Sequence, residues 1–394
     1  MECYLIGAGM GTEAMLTAQA RIAIEQVDTV LGTARLAEGL KTIRADIEVL
    51  PFSKLAERAI QSSGTTAILL SGDTGFFSAA KSLYTTLCQH GTVTVLPGMS
   101  SLQVFCAKLG TSYDDAVLMS VHGRQANVVA AVSYHSKVFA LTGGNCKANT
   151  LCAQLTDAGL GHLTVCIGEN LGAACERIEK GTAQQLQHIE FADLSVILIE
   201  NPKPADVSHR LRDDDFVRGE VPMTKQEIRW LVRDLLSVRP EDIVYDIGAG
   251  TGSVTMELAR GADRGQVYAV ECNPIALPLI QKNRIMTGSY HVTVIEAKAP
   301  DGLEALPAPD CVFIGGSRGN MAEIVQALLQ KNPKVRIVIS AIALETVHAA
   351  CEALQNNGIQ PEISCINVSR AKKVGRYHMM TAQNPVYLIG GNLT

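Results

Sequence analysis

Short β-branched runs alternating with helical stretches, most of them closing on a Gly or Ser turn, constrain this chain more than any other feature. CYLIG, TVLG, TAILLSG, VTVLPG, KVFALTG, LTVCIGEN and DLSVILIE succeed one another through residues 1–200. Such alternation predicts parallel strands joined by crossover helices. Ligands of an open α/β sheet sit at the carboxyl ends of its strands, so these turns are where a site is sought. Residues 201–220, NPKPADVSHRLRDDDFVRGE, interrupt the pattern with Pro and charge and read as a linker. The alternation then restarts with a helix over 225–237, the strands DIVYD, VYAVE, HVTVIE, CVFIGG and VRIVIS, and a closing hairpin-like pair. The expected division is a domain at 1–204, a linker at 205–220 and a second domain at 221–394, each long enough to bury its own core.

Composition narrows the function. Apolar residues make up 47% and aromatics 5%, with one Trp, so the cores must be mostly Ala, Val, Leu and Ile. A net charge of -5 argues against a nucleic-acid partner, which would need a basic face to displace phosphate counterions. No apolar run reaches the length of a membrane span, and the opening MECYLIGAG reads as a strand entering a turn, so no membrane association and a cytoplasmic location are expected. Eleven cysteines with no C-x-x-C pair suit neither a disulfide framework nor a metal site, and most are expected to be small core residues.

The most informative turn lies in PEDIVYDIGAGTGSVTMELAR. An apolar strand ends in Asp246, glycines follow at Gly248, Gly250 and Gly252, and a helix begins whose residues Val254, Leu258 and Ala259 share a face. The next strand ends in Glu271, where a carboxylate can accept hydrogen bonds from both hydroxyls of a ribose. A dinucleotide site uses the same logic, but there the spacing is G-x-G-x-x-G, and Ser253 stands at the third glycine's place. Asp246 is ill suited to a pyrophosphate and well suited to a cationic ligand, such as an amino acid ammonium beside a sulfonium. The pattern resembles the class I S-adenosylmethionine (SAM) methyltransferases. Upstream, VPMTKQEIRWLVRDLL places Thr224 and Glu227 at capping-box spacing, with Ile228, Leu231, Val232, Leu235 and Leu236 as its apolar face.

The first glycine turn, YLIGAGMGTEAML, is weaker alone, with Thr12 in the third glycine's place. LLSGDTGFFSAAKSLY at 69–84 and VTVLPGMSSLQVFCAKLG at 93–110 add two more Gly- and Ser-rich strand-to-helix turns that could line one cleft. Together the three resemble the tetrapyrrole methylase family, which binds SAM between two α/β lobes, and within it the precorrin-6Y methylases of cobalamin biosynthesis. SVHGRQ at 120–125 and CIGENLGAACERIEKGTAQQL at 166–186 add to the likeness. VPMTK, DIGAGTGS, VECNP, FIGGSRGN and NPVYLIGG resemble the decarboxylating partner of those enzymes, in the domain order of the fused form. The resemblance implies an α/β chain: a two-lobed tetrapyrrole methylase fold, then a Rossmann-like class I SAM methyltransferase domain.

It also implies one SAM per domain. In the first domain Gly9, Ser71, Asp73, Phe76, Ser100 and Ser101 would contact it; in the second, Thr224, Gly248, Ala249, Gly250, Thr251, Gly252, Glu271 and Ala299. Met10, Thr12, Glu13 and Ala14 replace the family's Pro, Asp, Pro and Glu in the first turn, and Lys298 stands where an acidic residue is usual in the second domain. The implied chemistry is methylation of a precorrin at carbons 5 and 15 with loss of carbon dioxide from an acetate arm on ring C. A conjugated enamine carbon attacks the methyl group in line, so the protein mainly positions two reactants. No residue is singled out as general acid or base. The substrate would be a polyanion, recognised by His122 in the first domain and by Arg318, Arg370 and Arg376 in the second, although Arg370 to Arg376 also reads as a solvated basic loop. A homo-oligomer is expected. Two alternatives stay open: a nicotinamide oxidoreductase built on the second domain, and a single methylase whose first domain no longer binds SAM.

Overall fold

The computed structural model describes residues 1–122 and 126–393, so Gly123, Arg124 and Gln125 of the SVHGRQ motif lie outside the described residues. The chain forms two compact units. The first comprises Met1–Arg124, Lys137–Ala153 and Gly161–Glu200; the second comprises Gln125–Ser136, Gln154–Leu160 and Asn201–Thr394.

Two five-stranded sheets build the first unit. In one, Glu48–Val49, Thr29–Gly32, Thr65–Leu70, Glu2–Gly7 and Thr92–Leu96 lie side by side, all parallel. Leu5, Ile6, Ile68 and Leu69 are buried at its centre, as the near-continuous apolar runs of a two-sided parallel sheet require. The other sheet departs from the expected parallel pattern. Its order is Val117–Ser120, Lys137–Thr142, Ser195–Glu200, Thr164–Glu169, Arg177–Thr182, and only the first pair is parallel. Residues 170–176 alone join Thr164–Glu169 to Arg177–Thr182, too few for the dozen or so a parallel crossover needs.

The second unit holds a seven-stranded sheet in the order Val292–Glu296, Gln266–Glu271, Ile243–Ile247, Cys311–Ile314, Arg336–Ala341, Val386–Gly391, Glu362–Ile366. The first five strands are parallel, and Val386–Gly391 runs antiparallel to both its neighbours. The strand order reverses between Ile243–Ile247 and Cys311–Ile314, which opens a crevice at their carboxyl ends. Helix Ser253–Ala259 starts there, and every one of its residues is buried. Helix Gln226–Leu235 packs Ile228 and Val232 inward, while Leu231, at the edge of the apolar stripe, is 38% exposed.

The segment read as a linker is part of the second unit. Leu211 and Phe216 join its core, and buried Asp213 pairs with fully buried Arg229 at 2.8 Å. The Arg229 guanidinium also lies 4.7 Å from the centre of the Phe216 ring. Two apolar side chains among so many charges gave no periodicity to read. The cysteines also differ from expectation: Cys3, Cys106, Cys152, Cys166 and Cys311 are buried, and the others are half-buried or exposed.

Candidate functional site

Each unit has its own pocket at its glycine turns. In the second unit the pocket, about 270 Å³, lies over the switch point and is lined by Val221, Pro222, Gly248, Gly250, Glu271, Asn273, Lys298, Ala299, Ser317 and Arg318, among others. Gly248, at φ +72°, lets the strand end press on a second turn, since a Cβ there would stand 2.6 Å from the Gly316 carbonyl oxygen. The two turns thus form one floor. Arg318 rises from the far turn in a left-handed conformation, φ +48°, and is exposed at the rim.

Glu271 is buried, and its carboxylate already organises the turn. Oε2 accepts from the Gly250 amide, and Oε1 from the Cys272 and Asn273 amides, each at 2.8 Å. A carboxylate has about four acceptor positions, so one stays open toward the pocket. Asp246 does not line the pocket: it lies beneath the turn, wholly buried, with Oδ2 accepting from the Thr255 hydroxyl and Oδ1 without a partner. Burial first, a hydrogen bond from Thr255 working against it, and the Glu271 charge push its carboxyl up to about 7. A buried, uncompensated acid under a glycine turn fits a positively charged ligand above it, and SAM carries such charge.

Other expected contacts in this unit fall elsewhere. Thr224, Ala249, Thr251 and Gly252 do not line the pocket. Thr224 does not cap its helix either, because Lys225 holds the N-cap position and the Thr224 carbonyl accepts from Arg229. Glu227, expected to complete that cap, instead chelates Arg370 at 2.6 and 2.8 Å. Thr251 is buried with its carbonyl bonded to Asn283, and Gly252 is the N-cap of the buried helix. Arg370 needs correction as a substrate contact: its guanidinium is shared between Glu227 and Asp213, which leaves it fully paired. Arg376 stacks on Tyr377 at 5.0 Å on the exposed hairpin Ser369–Val374 and Tyr377–Ala382, outside the pocket.

In the first unit a cavity of about 240 Å³ brings together Ser71, Asp73, Phe76, Ser101 and His122 from the sequence reading, with Met10, Arg35, Ser120, Thr142 and Ser195 added by the fold. Its walls are turns in close contact. A Cβ on Gly98 would stand 2.4 Å from the Gly7 oxygen and 2.5 Å from the Gly72 oxygen. Asp73 braces this junction, accepting from Gly75 N at 2.8 Å and Gly98 N at 3.1 Å. Gly9 and Gly72 exchange backbone hydrogen bonds at 3.2 and 2.7 Å, so Gly9 joins two turns and does not line the cavity. Ser100 is likewise outside the lining: its hydroxyl caps helix Ser101–Leu109 in a capping box with Gln103. Despite the altered residues, the first turn keeps left-handed Gly9 and Gly11, while Glu13 pairs with Arg21. Arg35 was not legible in the sequence, for it belongs to no motif.

Residues 2–187 match the tetrapyrrole (corrin/porphyrin) methylases, and residues 215–390 match the precorrin methyltransferase domain. A probable cobalt-precorrin-6B C(15)-methyltransferase (decarboxylating) of Pyrobaculum calidifontis is 39% identical over 180 residues, 45% of this chain and 92% of that protein. The chain belongs to the decarboxylating precorrin methyltransferases. Among the precorrin methyltransferases similar over both halves is a precorrin-6Y C(5,15)-methyltransferase [decarboxylating] of Sinorhizobium sp, 29% identical across 86% of this chain and 84% of its own length. A crystal structure of a precorrin-6Y C5,15-methyltransferase from Geobacter metallireducens GS-15 aligns at 38% identity, covering 46% of this chain and 95% of that one, with a TM-score of 0.44.

Proposed function

We propose that the protein methylates a metal-free or cobalt-containing precorrin at carbons 5 and 15 and removes carbon dioxide from the acetate arm of ring C, a step of cobalamin biosynthesis. The observation that carries this reading is the presence of two separate glycine-turn pockets, one in each family-matched half of the chain. Each pocket takes one SAM, which when bound supplies an electrophilic methyl group. In the second unit Gly248 and Gly250 form the floor, the open position of Glu271 meets the ribose hydroxyls, and Ala299 lies at the adenine end. Asp246 favours the cationic ligand through the field it sets below the turn. Arg318 binds a substrate carboxylate at the rim, where its fork suits that group. In the first unit Ser71, Phe76, Ser101 and His122 contact the reactants, and Asp73 holds the turns that position them. The electron pair left by carbon dioxide passes into the conjugated macrocycle.

The working boundary between the halves is residue 204, with 205–220 acting as a brace on the second. Homo-oligomerisation is supported by the hairpin at 369–382, where Val374, Tyr377, Met379 and Met380 are 48 to 66% exposed. A two-stranded hairpin with no covered face is marginal alone. The reading places the enzyme in the cytoplasm, acting on a small polyanion without nucleic acid or membrane; no helix among the described residues is long and apolar enough to cross a membrane. A nicotinamide oxidoreductase is less well supported, because the turn reads G-x-G-x-G and Ser253 stands where the dinucleotide fingerprint has its third glycine.

Mass spectrometry of the product from full-length protein, precorrin-6Y and SAM tests the reading. Two methyl groups add about 28 mass units and carbon dioxide removes about 44, a net change near -16. A product carrying one methyl group after the decarboxylation would leave a single methylase.

A further inference from the structure

Resting on the two-methylase reading, the next inference concerns Arg35, a cation lining the first unit's cavity that has no counter-ion among the described residues. Arg35 stands at the start of helix Ala34–Leu40 and reaches back over the first glycine turn. Its Nη1 donates to the Met10 carbonyl at 2.8 Å, and its Nη2 donates to the Ser71 hydroxyl. Both acceptors are neutral. Arg21, Arg44, Arg58 and Arg177 of the same unit each pair with a carboxylate, whereas Arg35 has no ion pair among the described residues. Arg35 remains partly open to solvent, and the desolvation it does undergo at the cavity edge pushes its pKa down. Asp73, the anionic side chain in the same lining, is already bonded to the Gly75 and Gly98 amides. A guanidinium has five N–H donors in a planar fork, and two of these are engaged.

We propose that Arg35 binds a carboxylate of one of the reactants in the first unit's cavity, either an acid arm of the tetrapyrrole or the methionine carboxylate of SAM. Tied at two points to Met10 and Ser71, the fork is held in place before the ligand arrives, which lowers the ordering cost of binding. Met10 supplies this arrangement with its carbonyl, an acceptor that the family's Pro would supply equally, while its side chain packs against the core beside Leu171. Arg318 is the counterpart in the second unit, an arginine at a pocket rim with no ion pair among the described residues.

The test uses the full chain with Arg35→Met, Arg35→Ala and Arg35→Lys. Methylation with decarboxylation by the second unit, read in the same reaction, controls for folding and substrate quality. Arg35→Met is expected to raise the first unit's KM for one reactant by roughly ten- to a hundredfold, with the second unit's rate unchanged. Arg35→Lys should recover part of the loss, and added guanidinium ion should restore turnover to Arg35→Ala. A rise in the precorrin KM assigns the tetrapyrrole arm; weakened S-adenosylhomocysteine binding at the first site assigns the methionine carboxylate. Unchanged KM values for both reactants overturn the proposal, and so does a fall in kcat alone that guanidinium does not rescue, since that marks a role confined to bracing the turn. Calorimetric binding of both reactants reads Arg35 even where wild-type protein shows no methyl transfer by the first unit; that absence would sink the two-methylase reading instead.

Discussion

Asp246→Asn removes a buried charge while keeping the side chain's shape and its acceptor for Thr255. The Asp246 carboxyl is wholly buried and pushed up from 3.8 to about 7. Folded protein therefore holds a proton there between pH 4 and 7 that the unfolded chain has released. Stability must fall as pH rises through that window and level off above it. At 1.36 kcal/mol per unit the full loss is about 4 kcal/mol, an upper figure because the interior relaxes around the charge. Asp246→Asn should thus match wild type near pH 4 and become more stable than it by up to about 4 kcal/mol at pH 8. His291 tilts the curve the other way, since burial pushes its ring down to about 4 and stability is lost as pH falls from 6.5 toward that value. The contributions of Asp246 and His291 should therefore nearly cancel across the overlap, and the mutant should expose the acid sensitivity of His291. Trp230, the sole tryptophan, lies in helix Gln226–Leu235, so its fluorescence follows denaturant unfolding of the second unit alone. SAM affinity at that unit should fall in the mutant at pH 8 and much less at pH 5.5, where wild-type Asp246 is already neutral. The same stability difference between mutant and wild type at pH 5 and pH 8 would refute a buried ionisation at this position.

Glu271→Gln should weaken SAM at the second site by roughly ten- to a hundredfold, because the amide replaces one of the two accepting oxygens with an NH2 donor and cannot serve three backbone N–H groups and a ribose; calorimetry on the full chain should show one of two binding events weakened, and two unaltered events would remove Glu271 from the site. Arg318→Ala should raise the precorrin KM of the decarboxylating step more than that of SAM, with the effect shrinking at high salt; a mutant impaired for SAM alone contradicts the assignment. Arg370→Ala should leave both Michaelis constants unchanged while lowering the second unit's stability by about 1–2 kcal/mol, a figure discounted because Arg370 is 39% exposed. A raised precorrin KM without a stability change would return Arg370 to the substrate site.

Local rules made much of this protein legible before folding. An apolar run of five or six residues followed by Gly-x-Gly has few alternatives to a strand-to-helix turn, so DIGAGTGS, with Glu271 one strand later, placed the second pocket from sequence alone. The turns that carry Ser71, Asp73 and Ser101 were legible in the same way, because glycine punctuates them, and the family resemblance singled out the residues themselves. What failed were the readings that required knowing a side chain's partner. Thr224 and Glu227 have capping-box spacing, yet Arg370, 143 residues away, takes the Glu227 carboxylate. Segment 205–220 looked like a tether because charge dominates it, and only the folded unit shows Leu211 and Phe216 in a core with Arg229 neutralising Asp213. Arg35 shows the same limit from the other side. An arginine at the start of a helix is ordinary in sequence, and its importance comes from the fold, which pairs it with no carboxylate among the described residues. Backbone geometry depends on neighbours in the chain and is written there; charge compensation depends on neighbours in space, and tertiary structure alone decides it.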